Sequence, residues 1–390
     1  MWELMAFEIQ IPSSLTVGGG SFAKVGSVLQ RLGCKRPLIV SDRFLQRQGL
    51  VDKLSALMTE AGIESGVFAD TVPDPTTEVV AAGLTAFQAG RHDSLVSLGG
   101  GSPIDTAKAI SMLAGNGGTP RLYKVPNAPP KYGPPHIAIP TTAGTGSEVT
   151  RFTVISDSES QEKMLIAGSP LLPTAAIVDY ELTMTMPPRL TADTGTDSLT
   201  HAIEAYVSRR ANDFSDIFAL AAMKTIWRQL PRAYHEPDNK DAREAMMLAA
   251  TQAGIAFSNA SVALVHGMSR PIGVHFHVPH GLSNAMLLPT VTAFSVQAAP
   301  RRYAECARAM GIASYTDSEE ESATKLIDAL YERNRELQVP SPKAFGISEE
   351  QYLSLIPTMA AQSMASGSPN NNPRIPTADE ICALYRQAWG

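Results

Sequence analysis

The stretch SLVSLGGGSPIDTAKAI, Ser94–Ile110, decides the fold. Its branched, apolar start (Ser94–Leu98) reads as a buried strand, Gly99, Gly100 and Gly101 as a tight turn, and the residues after them as a helix. A helix that starts on a glycine turn offers free N–H groups and the positive end of its dipole, which suit a pyrophosphate. Outward from this unit the pattern repeats. PLIVSD (Pro37–Asp42) is a strand ending in an acid, and Leu50, Leu54, Leu57, Met58 and Ala61 recur at helical spacing. Val79, Val80, Leu84 and Phe87 mark another helix. HIAIP (His136–Pro140) runs into a second small-residue turn, TTAGTGSE (Thr141–Glu148), and AAIVD (Ala175–Asp179) is a further strand. Strand, turn and helix in alternation imply a Rossmann-like, mostly parallel sheet covered by helices. After MPP (Met186–Pro188) the β-branched runs thin out and Ala/Leu/Met stretches take over. The expectation is an α/β unit over 1–186 followed by a mainly helical unit over 187–390. SGSPNNNP (Ser366–Pro373) reads as a loop.

Composition narrows the function. With 390 residues, 44% apolar, 18% charged and a net charge of −6, the chain has material for large cores and no basic surface for nucleic acid. Cys34, Cys306 and Cys382 form no even framework, which suggests a reduced, cytoplasmic chain. The opening MWELMAFEIQIPSS lacks the basic start and apolar core of a signal peptide. Met246–Val265 is long enough to cross a bilayer, but Thr251, Gln252, Ser258, Asn259 and Ser261 favour a buried helix with a polar lining.

Neither glycine-rich turn matches GxGxxG or a P-loop, so each alone is equally an ordinary turn of an α/β unit. Two together favour an extended, phosphate-bearing cofactor. Asp42 fits the acid that accepts a ribose hydroxyl and selects NAD over NADP, and fits a helix cap equally well. In TGTDSLTHAIEAY (Thr194–Tyr206), Asp197 and His201 stand at i and i+4, about 6 Å apart at Cβ on a helix. A surface ion pair is the commoner explanation of such spacing, but the flanks are mostly uncharged, and a buried Asp–His pair needs a partner. Four of the eight histidines, His266, His275, His277 and His280, fall within 15 residues, where an even spread (8 × 15/390) would put about 0.3. One carboxylate with three imidazoles is a ligand set for a divalent iron, zinc or nickel ion.

In order along the chain, GGGSPIDTAKAI, PTTAGTGSEVT, TGTDSLTHAIEAY, LVHGMSRPIG, VPHGLSNAMLLP and NPRIPTADEICALYRQAW resemble the iron-containing (group III) alcohol dehydrogenase family. The resemblance runs from about residue 8 to the C-terminus. It implies a dehydroquinate-synthase-like fold, with a dinucleotide-binding α/β unit over 1–186, an all-helical metal-binding catalytic unit over 187–390, and the active site in the cleft between them. It also implies an NAD(H)-linked, metal-dependent alcohol dehydrogenase or aldehyde reductase, acting on a small alcohol or aldehyde and assembled as a dimer or larger homo-oligomer. Carried over, the metal ligands are Asp197, His201, His266 and His280, for iron(II) or zinc(II). Gly99, Gly100, Gly101 and Ser102 meet the pyrophosphate, with Asp105 beside them. Thr141, Thr142, Ser147 and Val149 line the dinucleotide, Lys163 reaches the nicotinamide ribose, and Asp42 marks NAD preference.

The chain departs from the family in two places. Many members carry a second histidine four residues after the third ligand, where this chain has Arg270. Arg270 lies on the helix face of His266, so it either binds an anionic group on the substrate (carboxylate, sulfonate or phosphonate) or pairs with a nearby acid or a cofactor phosphate. His275 and His277 are extra. They read as an extended pair of which at most one faces the metal, with His277 the candidate proton carrier, or as plain cleft-lining histidines. Competing assignments are a glycerol-dehydrogenase-like or maleylacetate-reductase-like enzyme, a hydroxyacid–oxoacid transhydrogenase, and a non-catalytic NAD(H) sensor. The intact ligand set argues against the maleylacetate branch and the sensor.

Overall fold

The computed structural model describes residues 7–160 and 162–390, so the first six residues of the N-terminal reading lie outside the described residues. The strands are β1 (Ser14–Val17), β2 (Pro37–Asp42), β3 (Gly66–Thr71), β4 (Ser94–Gly99), β5 (His136–Pro140), β6 (Phe152–Asp157), β7 (Glu162–Ala167) and β8 (Ala175–Val178). Six of them form one sheet in the order β1-β8-β5-β4-β2-β3, with every pairing parallel. Helices α1 (Val25–Arg31), α2 (Arg43–Arg47), α3 (Leu50–Glu60), α4 (Thr77–Ala89) and α5 (Gly101–Asn116) belong to this part. Strand side chains alternate between two cores. Ile39, Val96 and Leu98 pack with Leu54 and Met58 of α3, while Leu38, Val40 and Leu95 pack with Val80 of α4 and Ile110 of α5. Burial on both faces explains why these strands read as continuous apolar runs.

The remaining strands, β6 and β7, pair antiparallel as a separate ribbon that the sequence reading did not anticipate. The second small-residue turn therefore leads into a short 3-10 turn at Ser147–Val149 and the ribbon, instead of a covering helix.

The chain reaches β4 after β3, and β4 inserts beside β2 on the side away from β3. The strand order thus reverses between β2 and β4, and a crevice opens at their carboxyl ends, the usual ligand position in such sheets. Gly99 and Asp42 end those two strands. Gly99 adopts φ 153°, and a Cβ there would run into Pro103, so the turn requires glycine.

From Pro188 onward the chain is helical: α6 (Pro188–Val207), α7 (Asp213–His235), α8 (Lys240–Ala260), α9 (Leu264–Phe276), α10 (His280–Ser295), α11 (Pro300–Ala309), α12 (Glu319–Glu336), α13 (Glu349–Ala365) and α14 (Ala378–Gln387). Pro188 opens α6 at its first position, where the missing N–H costs nothing. The helical core also takes in Ala143 and, from β8, Ala176 and Val178, so sheet and helices share one apolar interior. At the seam Gly146, with φ 62°, abuts Gly254 of α8, an approach that any Cβ would block. Among the described residues no single helix is long and apolar enough to cross a membrane. The α8–α9 stretch is bent by 106° and largely buried.

Candidate active site

Helix α6 carries Asp197 and His201 on one face, and Glu204 follows one turn later. All three are buried. Across from them α9 presents His266, and His280 is the first residue of α10. Nε2 of His266, His201 and His280 lies 3.5, 3.7 and 3.9 Å from one oxygen, Asp197 Oδ1. A divalent ion bound to N and O ligands at roughly 2.0–2.2 Å sets those ligands only a few ångströms apart. The spacing here is slightly wider, so modest side-chain closure would complete a site.

Glu204 sets one of these rings. Its Oε2 lies 2.6 Å from His266 Nδ1 and accepts the Ala263 N–H at 2.9 Å, while Oε1 accepts the Val265 N–H at 2.6 Å. One carboxylate thus caps the start of α9 and holds the proton of His266 on Nδ1, leaving the Nε2 lone pair facing Asp197. His201 is held by stacking instead, between Phe257 (centroids 4.2 Å apart) and His266 (4.5 Å). Burial pushes His201 down to about 3 and His280 down to about 4, so both rings are neutral at physiological pH and their lone pairs are available. Burial also disfavours a charged His266, but Glu204 and then Asp197 raise its pKa above the ordinary value.

The donor chemistry of the centre fits a cation. Asn284, one turn into α10, points its Nδ2 between Asp197, His266 and His280. It donates to Asp197 Oδ1 at 2.6 Å and lies 3.2 and 3.3 Å from Nε2 of His266 and His280. Its Oδ1 is buried without a partner. An amide N–H is the weak neutral counterpart of what these lone pairs would hold more tightly as a divalent ion.

These groups form one wall of a cavity of about 260 Å³. Of the residues singled out from sequence, Asp197, His201, His266, His280, Arg270, Gly101, Ser102, Asp105, Ser147 and Lys163 line it. The others stand back from it. Asp42 accepts the Leu45 N–H at 2.8 Å and caps α2. Gly99 and Gly100 form the turn under Pro103 and Thr142, and the Thr141 N–H donates to Gly99 O at 3.0 Å. Val149 is buried against Gly254.

His275 and His277 correct the expected extended pair. Helix α9 continues through Phe276, so His275 is helical and bonds Gln362 at 2.9 Å. His277 ends the helix in the left-handed conformation (φ 54°), exposed and away from the cavity lining, a position that gives no support to a proton carrier.

Three contributors were missed from sequence. Glu204 continues the i, i+4 and i+7 face of Asp197 and His201, and Asn284 stands at i+4 from His280. Lys108 is buried in α5, where its Nζ donates to Ser147 Oγ (2.9 Å), Thr150 Oγ1 (3.0 Å) and Phe152 O (2.8 Å), clamping the Thr141–Glu148 turn against the helix. Burial lowers its pKa to about 8 against the pull of Asp105 and Glu148. Asp105 completes the clamp, accepting from Ser147 Oγ at 2.7 Å and the Val154 N–H at 2.9 Å.

Known proteins match this chain over nearly its whole length. Residues 12–180 match the family described as iron-containing alcohol dehydrogenase, and residues 191–389 match the Fe-containing alcohol dehydrogenase family, C-terminal. The NAD-dependent methanol dehydrogenase of Bacillus methanolicus is 39% identical over 97% of this chain and 98% of its own. The lactaldehyde reductase of Escherichia coli (strain K12) is 35% identical over 99% and 100%. A crystal structure of 1,3-propanediol oxidoreductase superposes with a TM-score of 0.94 at 36% identity, covering 98% of this chain and 100% of its own. The two family matches together cover nearly all of the sheet-bearing and helical parts, and the chain belongs to the iron-containing alcohol dehydrogenase family.

Proposed function

We propose that this protein is an NAD(H)-linked oxidoreductase that interconverts a small alcohol and its carbonyl compound, with a divalent ion, iron(II) or zinc(II), held by Asp197, His201, His266 and His280. The observation that carries this reading is the convergence of those four groups on one wall of a cavity whose other wall is the N-terminus of α5. When bound, the ion supplies Lewis acidity, which favours ionisation of an alcohol or polarises a carbonyl. The protein's own groups do the rest. Glu204 keeps the His266 proton on Nδ1, Phe257 orients His201, and the half-exposed His280 faces the cavity. Gly101 and Ser102 present the first turn of α5 for a pyrophosphate, with Gly99, Gly100, Thr141, Thr142 and Val149 shaping the turns behind it. Asp105 and Ser147 hold those turns together, and Lys163, fixed by Asp74 at 2.8 Å, points a cation into the cavity for the cofactor's ribose. Asp42 adds NAD preference at the neighbouring strand end. Residues 1–186 and 187–390 are the two units that meet at this cleft.

Self-association and a cytoplasmic location belong to the same proposal. The first is supported by Leu15 and Val17, which are exposed on edge strand β1, with Ile11 exposed just before it, and the second by three free cysteines. The deciding experiment is metal analysis before and after chelation, paired with NAD-linked oxidation of short primary alcohols. About one divalent ion per chain, and activity that disappears and returns with it, is expected. A chain equally active without metal would overturn the reading.

A further inference from the structure

Three cations lie where the main cavity meets a smaller hollow of about 110 Å³, and two of them have acidic partners. Lys163 is paired with Asp74 at 2.8 Å, and Lys124 with Glu162. The third, Arg270, lines both spaces and has no carboxylate within ion-pair distance among the described residues. Its hydrogen bond to protein there is a 3.0 Å donation to Ser368 Oγ. A guanidinium carries five N–H donors in a planar fork, which matches an oxyanion group and is poorly used on one hydroxyl. The nearby acid on the same wall, Glu204, is already committed. Both its oxygens are taken by the Ala263 and Val265 N–H groups and by His266. Arg270 also lies one helical turn beyond His266 on the same face of α9, about 6 Å along the axis.

From this placement we propose that Arg270 is a specificity-determining residue that binds a terminal oxyanion (carboxylate, sulfonate or phosphonate) on the substrate. The substrate is then a short ω-hydroxy or ω-oxo acid whose reacting carbon lies beside Asp197 and the three histidines while its charge lies on Arg270. The one-turn offset along α9 suits a short spacer, of roughly two to four carbons. This rests on the alcohol dehydrogenase reading above and names its substrate class.

The test compares the metal-loaded wild type with Arg270→Gln and Arg270→Lys. The substrates are 4-hydroxybutanoate, 3-hydroxypropane-1-sulfonate, 3-hydroxypropylphosphonate and neutral 1-butanol, each with NAD⁺. The wild type is expected to prefer at least one anion over 1-butanol in kcat/KM, and the anion preferred identifies the group. Arg270→Gln should lower the anion-to-butanol ratio by about 10- to 100-fold, with Arg270→Lys recovering part of it. Binding gives a readout independent of turnover: propane-1-sulfonate should raise the melting temperature of the wild type and not that of Arg270→Gln. A ratio unchanged by the substitution, an equal loss on all four alcohols, or a matching loss of NADH affinity or metal content would overturn the proposal. If no alcohol is oxidised at all, the broader reading has failed, and the melting shift with propane-1-sulfonate alone decides whether Arg270 binds an anion.

Discussion

The two walls of the cleft solve opposite electrostatic problems. On the sheet side the buried Lys108 ammonium has an uncharged oxygen acceptor for every proton, with Asp105 and Glu148 near enough to favour its charge. On the helical side Asp197 and three imidazoles point lone pairs at a common centre, and only an amide N–H meets them. The first wall is complete as folded protein. The second gathers groups of like polarity, an arrangement with a free-energy cost that a bound cation would offset. Rigidity and reactivity are therefore separated: the sheet side holds turns in place, and the helical side holds charge in waiting.

The contrast breaks most readily at Asp197. Asp197→Ala is expected to reduce metal content from about one ion per chain to almost none and NAD-linked activity on the order of 10⁴-fold. Thermal stability of the metal-free protein should fall modestly, because the substitution removes the acceptor of the Asn284 amide and the carboxylate that helps raise the His266 pKa. A variant that kept its metal and its rate would show that the helical wall is a structural cluster. Lys108→Met is the matching change on the other wall. It strands Asp105 and Glu148 as buried acids without a cation, and should cost about 3 kcal/mol or more in urea unfolding, with metal content unchanged. A loss below about 1 kcal/mol would mean that this clamp is no stronger than a surface ion pair.

A smaller difference should appear in acid. His136 sits inside the sheet with Nε2 2.7 Å from Ser97 Oγ, and burial pushes its pKa down to about 3. The folded value lies below the unfolded one of about 6.5, so between those limits the unfolded chain binds the extra proton. Its contribution to stability is complete above pH 6.5 and falls by about 1.4 kcal/mol per pH unit below it. Unfolding free energies at pH 7 and pH 5 should therefore diverge by about 2 kcal/mol less in His136→Gln than in the wild type. Parallel losses would remove His136 from the acid limb.

The same contrast explains what was legible in the sequence. The sheet wall is made by backbone and small residues at a strand end, and glycines beside an apolar run advertise that directly. Asp197 and His201 were visible as a helical pair because i and i+4 residues share a face. Glu204 was equally on that face, but a glutamate seven residues on looks like any solvated acid until its three hydrogen-bond donors are in view. The β6–β7 ribbon was missed although Thr153 and Ile155 are buried at alternate positions, because the preceding glycine turn suggested another helix. His275 and His277 do not form an extended pair because the helix that carries His275 continues past Pro271. The N–H it lacks is a loss that the packed helix tolerates, and α9 runs on to Phe276.

Asp42 leaves the finest distinction, because one side chain serves both readings. Its carboxylate accepts the Leu45 N–H at 2.8 Å and caps α2, a role worth about 1 kcal/mol. It also ends the strand next to β4, beside the Gly99 turn, where a negative charge would repel a 2′-phosphate. Asn and Ala separate the two. Asparagine caps as well as aspartate but carries no charge, whereas alanine does neither. Asp42→Asn should therefore keep its stability within a few tenths of a kcal/mol while the ratio of NADH to NADPH affinity falls several-fold. Asp42→Ala should show the same change in ratio together with about 1 kcal/mol of lost stability. If Asp42→Asn leaves the cofactor ratio untouched, the acid is a cap alone, and NAD preference must be set elsewhere on the sheet wall.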